Sequence, residues 1–270
     1  MLKFSWWRKM INRGTNKISK QIKSLKERKH RDSEGLFIAE GLRFVNEIPD
    51  DYQIEYYAFS ESFVNENNTE RYKKTAYVFD DKAFKEFSET NNPQGIIAVC
   101  GKKIFDPESI LKNNENGLFI IAEELNDPGN LGTVIRTADA CDAKAVFLSK
   151  GSVDLYNGKV LRSTMGSLFH VPVITDIDID ECLNNFKKYN IPLYAAHLKG
   201  KKTPYEFDLT KSAAFVIGNE ARGISDSTAE KCDFFVKIPM IGKAESLNAS
   251  IAAGVLMYET VRQKLNKKVL

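Results

Sequence analysis

Three polar, glycine-bearing stretches hold residue types able to bind and act on a ligand. They are residues 126–140 (NDPGNLGTVIRTADA), 215–225 (FVIGNEARGIS) and 238–259 (IPMIGKAESLNASIAAGVLMYE). Together they offer an amide (Asn130), a guanidinium (Arg136), a carboxylate (Glu220), a hydroxyl (Ser246) and a second amide (Asn248). The third stretch begins at the end of a strand that Pro239 stops, since proline cannot donate to a sheet ladder. Ser246 or Asn248 then caps a helix. The first turn of such a helix presents unpaired N–H groups and the positive end of a dipole, a seat for a carboxylate or phosphate. Gly218 and Gly242 allow backbone to approach a ligand, although a plain turn would use glycine as well. Asn130, in a D-P-G-N turn, reads first as a turn residue or cap. With a helix starting near Gly132, residues Val134, Ala138 and Cys141 form its inward stripe. Arg136 then stands about 200° from Val134, where a solvated arginine is the ordinary expectation.

The elements that position these groups follow from the apolar runs. Strands are predicted over 118–123, 145–148, 171–174, 193–197, 213–217 and 234–238, with helices near 133–141, 156–163 and 180–189. This alternation predicts an α/β domain with a parallel sheet covered on both faces. Each polar stretch starts where a strand ends, and open α/β sheets bind ligands outside the carboxyl ends of their strands. The final helix is apolar nearly all round. Ala249, Ala252, Ala253 and Gly254 make a small-residue side, and Ile251, Val255, Tyr258 and Leu265 make another, so burial is expected.

In order, spacing and residue type, the three stretches resemble the three signature motifs of the SpoU (TrmH-type) RNA 2′-O-ribose methyltransferases of the SPOUT superfamily, over residues 117 to about 265. The resemblance implies a parallel-sheet SPOUT domain over 117–270 with a deep trefoil knot, which no periodicity would suggest. It implies S-adenosylmethionine held by backbone around Ile217, Gly218, Ile238, Met240, Ser246 and Leu247. It also implies that Arg136 serves catalysis, that Asn130 holds the site, that Glu220 and Asn248 orient their neighbours, and that Ser246 is a nearby polar contact. A guanidinium keeps its proton up to a pH of roughly 12, so stabilising a nascent alkoxide and gripping a phosphate suit Arg136 better than acting as a base. The family pairs two such domains, and the small-residue side of the last helix suits a homodimer. The phrases FIAEGLRFV (37–45) and NPQGIIAV (92–99) resemble the small α/β ribosomal-protein-like RNA-binding domain that precedes many of these enzymes' catalytic domains.

At 270 residues the chain has room for two modest domains. The expected division is a basic arm and helix over 1–34, an α/β RNA-binding domain over 35–100, a linker over 101–116 and the catalytic domain. Within the second, strands are expected at 35–39, 54–59, 75–79 and 95–100, and helices at 41–48, 61–66 and 80–88. No run of about 18 apolar residues calls for a membrane. Cys100, Cys141, Cys182 and Cys232 stand far apart without a C-x-x-C pair, so free thiols in the cytoplasm are expected, and no metal.

The net charge of +3 conceals an asymmetry. Residues 1–31 carry eleven Lys/Arg against the single acid Glu27, leaving 28 basic and 35 acidic residues for the rest. Such an arm is the footprint of a polyanion binder. Lys17, then Lys20, Lys23, Arg28, Lys29 and Arg31 on one helix over 18–31, and Arg43 beyond it are the expected RNA contacts. Trp6 and Trp7 are candidates for base stacking. A solvated tail is the plainer alternative. Of the histidines, His30 belongs to the basic helix, His170 has no evident partner, and His197 at a strand end could face the site or be merely structural.

The reading is an S-adenosylmethionine-dependent RNA 2′-O-methyltransferase acting on large-subunit ribosomal RNA. Transfer RNA as substrate and an idle RNA-binding or ribosome-assembly protein are the alternatives. A dinucleotide-dependent dehydrogenase is a poor reading, because this chain has no G-x-G-x-x-G after its first strand.

Overall fold

Apolar runs and turn residues build two units, Met1–Lys103 with Tyr156–Phe169, and Ile104–Leu155 with His170–Leu270. The structure, a computed structural model, describes residues 11–72, 74–114 and 116–269. Trp6 and Trp7, with the start of the basic arm, lie outside the described residues.

The first unit runs β1 (Ile11–Arg13), α1 (Asn16–Ser24), α2 (Arg28–Glu34), β2 (Leu36–Glu40), α3 (Leu42–Asn46), β3 (Ile54–Ser60), α4 (Glu61–Glu66), β4 (Ala76–Phe79), α5 (Asp81–Phe87) and β5 (Ile96–Gly101). Its sheet has the order β1-β4-β3-β5-β2. The first three strands are parallel, and β5 runs antiparallel to β3 and β2. Ile22 and Leu25 enter the core beside Phe79, Phe84, Phe87 and Val99. The single basic helix expected over 18–31 is in fact two. Arg31, expected on RNA, is buried and donates to the carbonyls of Leu25 (2.8 Å) and Lys26 (2.6 Å). It thereby satisfies acceptors left open where α1 ends. Gly35, at φ +65°, closes α2 in the left-handed region.

The second unit continues with α6 (Pro107–Lys112), β6 (Leu118–Ala122), α7 (Pro128–Ala140) and β7 (Ala145–Ser149). After α8 (Gly158–Thr164), which belongs to the first unit, come β8 (Val173–Ile177), α9 (Ile179–Lys188), β9 (Leu193–Ala196), β10 (Ala213–Ile217), α10 (Asp226–Glu230), β11 (Phe234–Val236) and α11 (Ala249–Val269). Helix α6 lies within the stretch expected as linker, because Asp106 caps it, Pro107 opens it and Leu111 enters the core. The sheet order is β11-β9-β10-β6-β7-β8, and every pairing is parallel. Every residue of β6, β7 and β10 is buried, the mark of strands covered on both faces. Phe186 of α9 sits edge-on to Phe119 (5.4 Å) and Phe147 (5.1 Å) at the centre.

Two further helices depart from expectation. Helix α7 starts at Pro128, not near Gly132, because Asp127 caps it by accepting from the Asn130 N–H at 2.8 Å. Asn130 therefore sits in the first helical turn. Helix α11 buries Ala253, Leu256, Met257 and Thr260, whereas Ile251, Tyr258 and Leu265 are exposed by more than half.

Cys100, Cys141, Cys182 and Cys232 are free thiols. Burial raises all four, Cys141 to about 11 and Cys182 to about 12, which keeps them protonated and unreactive. Among the described residues no helix is long and apolar enough to cross a membrane, and no group of three or more His, Cys, Asp or Glu could hold a metal.

Candidate active site

The three polar stretches meet at the carboxyl edge of the second unit's sheet. Strand β6 ends at Ala122, β10 at Ile217 and β11 at Val236; Asn130 follows the first in the opening turn of α7, and the loops after the other two carry Glu220 and Asn248. Glu220 accepts from the Asn126 N–H (3.2 Å), the Asp127 N–H (3.0 Å) and the Asn130 side-chain amide (2.9 Å). With its nitrogen directed there, Asn130 turns its oxygen to the Asn248 amide and accepts from it at 2.8 Å. Asn248 in turn accepts from the N–H groups of Ser250 (2.9 Å) and Ile251 (3.3 Å), so Asn248 and not Ser246 caps α11. Three distant stretches are thus joined by one directed relay.

Burial pushes the Glu220 carboxyl up, but the Asn130 amide and the Asp127 and Asn126 N–H groups favour its charged form and hold it below the usual 4.5. Glu123, buried at the end of β6, accepts from the Ser225 N–H (2.9 Å), the Ser225 hydroxyl (2.7 Å) and the Thr228 hydroxyl (2.7 Å), tying β6 to the start of α10. Asn219 donates to the Glu124 carbonyl at 2.8 Å, and Arg222 pairs with the Glu124 carboxylate. The second loop is therefore anchored at both ends.

Beside the relay lies a cavity of about 530 Å³. Ile217, Gly218, Ile238, Met240, Ser246 and Leu247, the residues that the family resemblance assigns to the cofactor, all line it. So do Glu220 and Asn248, but neither Asn130 nor Arg136 does. The volume falls in the range of about 300–1,000 Å³ usual for small-molecule sites. Gly218 has a reason other than ligand approach. A Cβ there would lie 2.0 Å from the Gly223 carbonyl carbon and 2.2 Å from the Ile224 nitrogen. The loop can fold back on itself only because that atom is missing. At Gly242 a Cβ would meet nothing within 4 Å, so close approach there has no support from the protein itself.

Arg136 lies on the exposed side of α7, and its side chain makes no hydrogen bond or ion pair with a described residue. Ser246 is exposed at the cavity wall. Of the basic residues expected to meet RNA, Lys17, Lys20, Lys29 and Arg43 are exposed. Lys23 pairs with Glu86 (3.1 Å) and Arg28 with Asp32 (3.4 Å) in exposed pairs, whereas Arg31 is buried.

Sequence reasoning missed one member of the relay and one pairing outside it. Ser250 is buried and donates to Asn248 (2.7 Å) and, more weakly, to Asn130 (3.4 Å); its place two residues after a capping asparagine was the available signal. His170 does have a partner, Asp139 of α7, at 3.0 Å. Pairings between residues so far apart in the chain leave no local trace.

The sequence profile of the SpoU rRNA Methylase family matches residues 117–258, and that of the MRM3-like substrate binding domain matches residues 16–98. The 23S rRNA (guanosine(2553)-2′-O)-methyltransferase RlmP of Bacillus subtilis is 34% identical over 250 residues, covering 93% of this chain and 98% of that protein. The crystal structure of an AdoMet-bound rRNA methyltransferase from Sinorhizobium meliloti aligns with TM-score 0.81 at 27% identity, over 94% of this chain and 98% of that one. The SpoU methyltransferase AviRb from Streptomyces viridochromogenes, in complex with AdoMet, aligns with TM-score 0.82 at 26% identity, over 93% and 99%. With its three motif loops joined at one sheet edge and its matched stretch spanning more than half its length, the chain belongs to the SpoU rRNA methylase family, within the SPOUT superfamily.

Proposed function

We propose that this chain transfers a methyl group from S-adenosylmethionine to a ribose 2′-hydroxyl of large-subunit ribosomal RNA. The observation that carries the reading is the Glu220–Asn130–Asn248 relay, which joins all three motifs beside the cavity. The RlmP relative and the AdoMet-bound neighbours support the same reaction. Bound in the cavity, S-adenosylmethionine would supply an electrophilic methyl group. The chain's own residues do the rest. Backbone of the second and third loops, at Ile217, Gly218, Ile238, Met240 and Leu247, would hold the cofactor, with Ser246 as a polar contact. The relay fixes the loops, and Arg136 presents a permanently charged fork to the developing alkoxide and its neighbouring phosphate.

Three further parts belong to the reading. The exposed basic residues Lys17, Lys20, Lys23, Arg28, Lys29 and Arg43 track the RNA backbone. The exposed stripe Ile251, Tyr258 and Leu265, recurring every seventh residue of α11, pairs with a second copy in a homodimer. The return of α11 from edge strand β11 to pack on α7 and β10 supports the knotted threading. Four free thiols, three of them buried, and an RNA substrate suit the cytoplasm.

The test is incubation with large-subunit ribosomal RNA and S-adenosylmethionine carrying a labelled methyl group, followed by mapping of alkali-resistant linkages. Label in one resistant linkage supports the reading. Label confined to transfer RNA, or none in any RNA while the cofactor binds, overturns it.

A further inference from the structure

His197 follows β9 and lines the cavity, yet the relay does not use it. Its backbone is pinned on both sides: its N–H donates to the Val236 carbonyl (3.0 Å), and its carbonyl accepts from the Gly200 N–H (3.0 Å). Its ring stacks on Phe235 at 5.3 Å and 28°. Its Nδ1 accepts from the Lys199 N–H at 3.0 Å. A ring nitrogen that accepts carries no proton, so the neutral imidazole keeps its proton on Nε2. That nitrogen is a donor, and it is the one left for a ligand. A second proton would set two N–H groups against each other at Nδ1.

The surrounding charges favour the same state. Lys199 faces the ring from its own loop, and Asp226 of α10 pairs with that ammonium at 3.3 Å. Lys237, Glu220 and Arg222 share the cavity wall, the last two tied to Asn130 and Glu124. Burial, then the Lys199 charge, push the imidazole below its usual 6.5 against an opposing pull from Asp226.

We propose that His197 is a ligand-positioning residue: a neutral imidazole that donates from Nε2 to an acceptor atom of the cofactor and, by staying uncharged, leaves the cavity open to a cationic sulfonium. This rests on the methyltransferase reading. The sign follows from the lowered value. The ring is neutral above 6.5 and becomes charged as pH falls through its lowered pKa, so affinity for a cation is full at neutral pH and lost in acid. S-adenosylhomocysteine has nearly the same shape without the positive charge, so it isolates the charge effect.

The experiment is calorimetric titration of the full chain with S-adenosylmethionine and S-adenosylhomocysteine from about pH 8 down to about pH 5, the range in which histidine titrates. Wild type is compared with His197→Gln, which keeps a donor but cannot take a proton; His197→Asn serves if that variant fails to fold. The expected result is wild-type affinity for the sulfonium ligand falling up to about tenfold per pH unit below the imidazole pKa. The neutral ligand should lose much less, and the variant should show parallel, flat profiles for both. An unchanged pH profile in the variant, or equal losses for the two ligands, overturns the proposal. If neither ligand binds wild type even at about pH 8, above any histidine titration, the methyltransferase reading itself fails, and this inference falls with it.

Discussion

Asn130 donates its side-chain amide to Glu220, 90 residues away, at 2.9 Å, and that bond decides which way the amide faces. With the nitrogen turned toward Glu220, the oxygen faces Asn248 and accepts from its amide at 2.8 Å, so the first motif fixes the third through the second. Asn130→Asp would put a carboxylate against the Glu220 carboxylate. Single-turnover methyl transfer should fall about a hundredfold, the usual effect of roughly 1 Å of misplacement near a reacting centre. Glu220→Gln, which keeps the shape and one acceptor, should cost less. Equal rates for wild type and Asn130→Asp would remove the relay from the mechanism.

The same carboxylate gives the site an acid limit. Glu220 is held below 4.5 in the folded chain, so its contribution is complete above that value and fades as pH falls through the lowered pKa. Unfolding midpoints measured from about pH 6 downward should drop below the ordinary glutamate range for wild type, with a shallower drop for Glu220→Gln. Parallel curves would show that Glu220 titrates alike folded and unfolded.

The two loop glycines should part company. Gly218→Ala forces a Cβ to within 2.0 Å of the chain's own backbone, whereas Gly242→Ala meets open space. The first should lose about 1–3 kcal/mol or more, as overpacking does, together with cofactor affinity. The second should stay within about 0.5 kcal/mol of wild type. Chemical denaturation with cofactor titration checks both, and a harmless Gly218→Ala would refute the folded-back loop.

Much of the fold is legible in the sequence because parallel strands buried on both faces are continuous apolar runs. Residues 118–122 and 213–217 stand out for that reason, and the polar loops after them show where a site would form. The errors have physical causes as well. Asp127-Pro128 reads as a turn, but aspartate before proline is equally a helix cap before its first residue, and here the cap prevails. The split between α1 and α2 carries no glycine or proline. It is held by Arg31, whose guanidinium reaches back five and six residues. In α11 nearly every face is apolar, so periodicity cannot choose one; packing on α7 buries Ala253 and Leu256 and leaves Tyr258 outside.

That split changes how the basic arm must be tested. Deleting residues 1–31 would remove Ile22 and Leu25 from the core of the first unit, so weakened binding would report unfolding. Replacing exposed Lys17, Lys20 and Lys29 together with alanine leaves the core intact. The slope of log K for RNA against log salt should shrink by about 0.7–0.9 for each phosphate no longer neutralised, with cofactor affinity unchanged. An unaltered slope would exclude these lysines from the RNA interface.

The exposed stripe on α11 gives the dimer its own test. Tyr258→Glu places a charge at the middle of the stripe Ile251, Tyr258 and Leu265 while the buried face stays as it is. Sedimentation should show wild type as a dimer and the variant as a folded monomer. Identical masses would place the interface elsewhere or nowhere.

Arg136 tests the account most directly, because it is exposed, makes no side-chain hydrogen bond or ion pair with a described residue, and is assigned the developing negative charge. The decisive measurement is single-turnover methyl transfer to large-subunit ribosomal RNA by wild type, Arg136→Lys and Arg136→Ala, with cofactor affinity measured alongside. Losing one preorganised donor at a developing oxyanion costs roughly 2.7–4 kcal/mol, about a hundred- to a thousandfold in rate. Lysine keeps the charge but not the forked donors, so both variants should fall by that order while still binding S-adenosylmethionine. Wild-type rates in both variants would contradict the account and leave Arg136 a solvated surface residue.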